Sequence, residues 1–130
     1  MESRHKILIV DDDPAVLELY RDLLSQLPSK PEIFTTTAGA RALSMLKSEP
    51  FRLLLCDLKM PKMDGLQLLA AVKASDSWRH IPVMMITTEG GEAKVGEAVR
   101  LGAAGYVRKP FTADQIKEKL ARIIEPVLPL

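Results

Sequence analysis

The sequence predicts an α/β domain: a small, doubly wound, five-stranded parallel sheet with helices on both faces. Two observations predict it. Short apolar runs alternate with segments of helical periodicity, and strand–helix alternation builds βα units joined by right-handed crossovers. Runs such as Leu53, Leu54 and Leu55 are also apolar on both faces, as parallel strands covered from both sides are.

The first predicted strand is "KILIV" (6–10), which runs straight into Asp11, Asp12 and Asp13. Pro14 suits the first position of a helix and Asp13 its N-cap, with Leu17, Tyr20, Leu24 and Leu27 along one face. "EIFTT" (32–36) is the second strand, and a helix over about 38–48 turns Ala42, Leu43 and Leu46 inward. "FRLLLC" (51–56) is the third strand and ends at Asp57. The third helix begins near Gly65, with Leu66, Leu69, Ala70 and Val72 inward. "PVMMIT" (82–87) is the fourth strand, ending in Thr87, with Thr88 next. The fourth helix covers 92–101 and stops at Gly102, which takes a positive φ without strain. "GYVRK" (105–109) is the fifth strand and closes on Lys109 and Pro110. "TADQ" (112–115) is a capping-box pattern opening a last helix, with Ile116, Leu120, Ile123 and Ile124 inward. One domain thus spans 1–125, and 126–130 read as a C-terminal tail or the start of a linker.

Composition narrows the function. Lysine plus arginine number 18 and aspartate plus glutamate 17, so no bulk charge draws the chain to nucleic acid or to an anionic membrane. The single cysteine, Cys56, excludes an internal disulfide and a cysteine metal site. "MESRHKILIV" lacks the apolar core of a signal peptide, and no apolar run approaches the length that spans a bilayer. The expected location is the cytoplasm.

In doubly wound sheets the working site lies beyond the carboxyl ends of the strands. Asp11 and Asp12, Asp57, Thr87 and Lys109 all fall there. Helix capping accounts for Asp13, but not for two further acids behind a buried strand. Asp57 has a turn-residue reading, since "DLKMPKMDG" is rich in breakers, yet a carboxylate beside two others is a poor turn choice unless a cation binds. Oxygen ligands with open water positions suit Mg²⁺. Lys109 reads alone as a surface lysine and Thr87 as a β-branched strand residue. Together the parts fit phosphoryl transfer, with Asp57 as nucleophile, Mg²⁺ and Lys109 neutralising phosphoryl oxygens and Thr87 donating a hydrogen bond. Met84 and Met85 read as core, Cys56 as core-facing, and Trp78 as partly exposed packing. His5 and His80 are isolated.

"ILIVDDDP", "DLKMPKMDGL", "PVMMITTE" and "GAAGYVRKPF" give the chain its resemblance to response-regulator receiver domains, the phospho-accepting modules of two-component signalling. The motifs stand in family order and span nearly the whole chain. The resemblance implies a flavodoxin-like fold with strand order 2-1-3-4-5. It implies that Asp57 takes a phosphoryl group from the phosphohistidine of a sensor histidine kinase or phosphotransfer protein. It also implies that Asp12, Asp57 and the Lys59 backbone carbonyl bind Mg²⁺, with Asp11 acting through water. Thr87 and Lys109 would contact the phosphoryl group. Tyr106 would be the aromatic switch that reports Thr87 to the face of helix 4, strand 5 and helix 5, which addresses an output partner or domain. A phosphorylation-linked dimer is compatible with this. The Lys109–Pro110 bond corresponds to one that is cis in the family. Lys59, Thr88 and Glu89 are rim positions linked to the lifetime of the phosphorylated state.

Three rivals are weaker. An aspartate-nucleophile phosphatase of the haloacid dehalogenase type needs D-x-D-x-T/V after strand 1, and Ala15 stands where Thr or Val belongs. A mononucleotide binder would place hydroxyls and amides, not carboxylates, around a phosphate. A phosphorylation-independent scaffold has no use for Asp12, Asp57, Thr87 and Lys109 together.

Overall fold

A computed structural model describes residues 5–26, 30–87, 92–108, 114, 115 and 118. The elements are β1 (Lys6–Val10), α1 (Pro14–Ser25), β2 (Glu32–Thr36), α2 (Gly39–Ser48), β3 (Phe51–Cys56), α3 (Gly65–Ala74), β4 (Val83–Thr87), α4 (Glu92–Arg100) and β5 (Gly105–Arg108). The strands form one sheet in the order β2-β1-β3-β4-β5, all pairs parallel. The predicted fold class and strand order are those observed.

Strand periodicity sorts the core. Ile7, Ile9, Leu53, Leu55, Met84, Ile86 and Val107 face α1, where Leu17, Tyr20 and Leu24 meet them. Leu8, Val10, Leu54, Cys56, Val83 and Met85 face the other way, onto α2, α3 and α4. Successive strand side chains point to opposite faces, so an unbroken apolar run fills two cores at once.

Local chemistry fixes the helix ends. Asp13 caps α1 by accepting from the Ala15 amide at 3.0 Å, and Pro14 follows it. Asp64 caps α3 in a reciprocal box with Gln67, at 2.8 and 2.9 Å. At the end of α4, Gly102 takes φ +98° while Ala103 N donates to Ala98 O and Gly102 N to Val99 O. That is a left-handed cap satisfying two terminal carbonyls.

One inward assignment needs correction. Ala70 is only half-buried, whereas Leu68 is fully buried. The helix α3 packs against both α2 and α4, so its buried arc is wider than one stripe. Leu43, half-buried, packs against the core as expected. Leu27, the Lys109–Pro110 bond and the inward face of the last helix lie outside the described residues, although Asp114, Gln115 and Glu118 are helical.

Candidate functional site

The register of the sheet builds the site. Val10 pairs with Thr36 on one side and Cys56 on the other. The next residues, Asp11 and Asp57, therefore emerge side by side. Their amides extend the ladder by one step: Asp11 N donates to Thr36 O at 3.2 Å and Asp57 N to Val10 O at 3.0 Å. Asp12 follows on the exposed side. One oxygen of each of Asp11, Asp12 and Asp57 lies within 4.8 Å of the others. Asp11 is 1% exposed and Asp57 7%, while Asp12 is open to solvent.

Two buried carboxylates with a third beside them are costly unless a cation shares the site. Neighbouring amides supply part of the compensation. Asp13 N donates to Asp11 Oδ1 at 2.9 Å, and Lys59 N points at Asp57 Oδ1 at 3.4 Å. An all-oxygen set with one face open to water is the donor chemistry that a hard divalent cation accepts.

The loop after Asp57 is held under tension. Gly65 N donates to Leu58 O at 2.8 Å, and a Cβ at Gly65 would stand 2.2 Å from the Asp57 carbonyl oxygen. Only glycine lets α3 begin this close to the phosphoacceptor candidate. Lys62 takes φ +68°, and Met63 N donates to Pro61 O at 2.8 Å across it, a tight three-residue γ-turn. Met63 then packs against Gly39 at the start of α2, where a Cβ would lie 3.0 Å from its sulfur.

The field of the acids reaches two core groups. Burial, then the charges of Asp11 and Asp57, push the Tyr20 phenol well above its ordinary range. Burial, followed by Asp57, Asp11 and Asp64, pushes the Cys56 thiol up in the same way. Cys56 therefore stays a protonated core residue. Nothing in the apolar helix pattern distinguishes Tyr20 from an ordinary core aromatic; its phenol places a polar group beneath the acids.

Of the remaining candidates, Tyr106 is half-buried on β5, paired with Met85 and packed on the α3–α4 side of the core. The side chain of Lys59 is exposed. Thr87 closes β4 opposite Arg108. The Thr87 side chain, Thr88, Glu89 and Lys109 lie outside the described structure. No helix among the described residues is long and apolar enough to cross a membrane.

Residues 7–121 match the family model of the response regulator receiver domain. The chain is 44% identical over 126 residues to a chemotaxis protein CheY of Pseudomonas aeruginosa, covering 94% of this chain and 98% of that one. It superposes on the phosphorylated cyanobacterial phytochrome response regulator RcpA with a TM-score of 0.83 at 26% identity, covering 98% and 100% of the two chains. The Mn²⁺-bound form of response regulator Rcp1 is similar with a TM-score of 0.82 at 26% identity, covering 96% and 95%.

Proposed function

The chain belongs to the response-regulator receiver family, and on that premise we propose that it is a signalling switch phosphorylated on Asp57. The observation that carries this reading is the grouping of Asp11, Asp12 and Asp57 within 4.8 Å at the ends of β1 and β3. Asp57 is the nucleophile: a carboxylate oxygen bonds to phosphorus as the phosphorus–nitrogen bond of a phosphohistidine breaks, and the departing imidazole takes a proton. The donor is a sensor histidine kinase or a phosphotransfer protein. Asp12, Asp57 and the Lys59 carbonyl would hold Mg²⁺, with Asp11 orienting a water; the ion supplies charge neutralisation for the phosphoryl oxygens. The relatives described as phosphorylated and as Mn²⁺-bound support both halves of this reading.

Thr87 and Lys109 would take the remaining phosphoryl oxygens. Tyr106 sits on β5, with β4 between it and the strand that carries Asp57, packed where α3 and α4 meet the sheet, and would carry the change to the face of α4, β5 and the last helix. That face addresses an output partner or domain, and a phosphorylation-linked dimer would use it. The reading is of a cytoplasmic signalling domain over residues 1–125, not of a turnover enzyme.

Acetyl phosphate and Mg²⁺ test it. Intact-mass spectrometry should show one added phosphoryl group on the wild-type chain and none on Asp57→Asn, because an amide is a poor nucleophile. Labelling that persists in Asp57→Asn, or no phosphoryl group gained by the wild type, sinks the proposal.

A further inference from the structure

The segment from Asp57 to Gly65 closes on itself, because Gly65 N donates to Leu58 O at 2.8 Å. Within it Leu58 and Met60 are buried, while Lys59, Pro61 and Lys62 stand in solvent. Lys62 turns the chain back with φ +68°. A side-chain-bearing residue holds a positive φ only where its surroundings over-determine the backbone, and such residues gather at functional sites.

Two methionines bracket this turn. Met60, ahead of it, is sunk in the core on the side of α2, α3 and α4. Met63, behind it, is half-buried and packs on the same core. Its side chain lies lengthwise over Gly39, the first residue of α2. A Cβ at Gly39 would stand 3.1 Å from Met63 Cβ, 3.1 Å from its Cγ and 3.0 Å from its sulfur. Gly39 is buried and its φ lies outside the left-handed region. The position therefore uses the missing side chain and not the freedom of the glycine backbone. Helix α2 also opens at Ala38 without a side-chain cap, so packing and not capping places its first turn. The unbranched thioether chain of Met63 follows that surface closely.

We propose that Met63, seated on Gly39, is a positioning residue for the acid site: it holds the Lys62 turn closed and so keeps the Lys59 peptide against Asp57, where Lys59 N lies 3.4 Å from Asp57 Oδ1. This rests on the reading of the Lys59 carbonyl as a Mg²⁺ ligand. Met63 acts on the site only through the loop. Once its seat is lost, Lys62 relaxes toward negative φ and the peptides ahead of it reorient. A ligand that is no longer preset must be ordered when the ion binds, and that weakens binding.

The full chain is titrated with Mg²⁺ well below its melting temperature, followed by the amide resonances of Asp57, Leu58 and Lys59. Labelling by acetyl phosphate is measured in parallel. Met63→Ala should weaken Mg²⁺ by roughly three- to tenfold. Its labelling should be slow at low Mg²⁺ and recover at saturating Mg²⁺, a split that mere loss of stability does not produce. Met63→Leu still covers Gly39 and should regain the affinity. Gly39→Ala pushes Met63 aside by a few tenths of an ångström and should also weaken Mg²⁺. Combined with Met63→Ala it should weaken the ion by less than the product of the separate effects, since both act on one contact. Glycine takes the φ of Lys62 without strain. In a Lys62→Gly background, Met63→Ala should therefore weaken Mg²⁺ less than it does in the wild type. Affinity within about twofold of wild type in Met63→Ala, no recovery in Met63→Leu, multiplying effects, or an equal loss in the Lys62→Gly background overturns the positioning role and leaves labelling of Asp57 standing. A wild-type chain that neither binds Mg²⁺ nor gains a phosphoryl group removes both readings.

Discussion

Asp12 is the exposed member of the acidic cluster, so its side chain can be removed without opening a hole in the core. Like charges about 4 Å apart at an effective dielectric near 20 repel by roughly 4 kcal/mol. Asp12→Ala should therefore raise the melting temperature of the metal-free chain and shrink the gain from added Mg²⁺. For the wild type that gain is RT ln(1 + [Mg²⁺]/Kd), about 2.7 kcal/mol at 100 times Kd. Thermal melts of both proteins with and without Mg²⁺ decide it; a wild-type midpoint unmoved by millimolar Mg²⁺ removes the metal site. Tyr20 gives a pH dependence. Its folded phenol resists ionisation, whereas the unfolded one titrates near the ordinary 10.0. A group raised in the folded state stabilises fully below its unfolded pKa and loses that contribution as pH rises beyond it. Above pH 10 the wild type should lose up to about 1.4 kcal/mol per pH unit from this group. Urea titrations between pH 8 and 11 should show Tyr20→Phe losing stability less steeply; parallel slopes refute it. The acids were legible because carboxylates directly after apolar strands have no structural use. Lys62 was not, because nothing in a lysine announces a positive φ.

At the scale of elements, Gly65 joins α3 to the acid loop. An alanine Cβ would have to displace the backbone of Asp57 or tilt the helix, since the nearest atom is backbone and not a yielding side chain. Gly65→Ala should cost about 1–3 kcal/mol in urea unfolding and should slow labelling of Asp57 by acetyl phosphate, because the displaced carbonyl belongs to Asp57 itself. Wild-type stability together with wild-type labelling would show that the loop yields freely. Strands were easier to read than helix faces. β1 from Ile7 and β3 from Leu53 are apolar to their ends, and the sheet leaves those runs no other place. The buried arc of α3 depends on its two helical neighbours, which periodicity within one segment does not encode, so the pattern points to Ala70 where the structure buries Leu68. The D-x-x-Q spacing of Asp64 and Gln67 does encode the α3 cap, but the breakers of "KMPKMDG" obscure it.

For the whole molecule, the consequence lies in the two amides that carry the buried acids. Asp11 N and Asp57 N bond one step past the ends of β1 and β3, but their acceptors, Thr36 O and Val10 O, belong to the central sheet. For either proton to be replaced by deuterium, β1 must part from β2 or β3, and those strands part only when the domain opens as a whole. Asp13 N and Lys59 N are held by carboxylate oxygens of the acids and can open locally. In deuterated water the Asp11 and Asp57 amides should therefore exchange last, with a free energy equal to that of global unfolding, while Asp13 and Lys59 exchange far earlier. Early exchange at Asp11 and Asp57 would place the acids on a yielding surface. On the expected outcome, the reacting carboxylates hang from the slowest clock in the protein, and conformational signalling must begin in the loops around them and leave their anchors still.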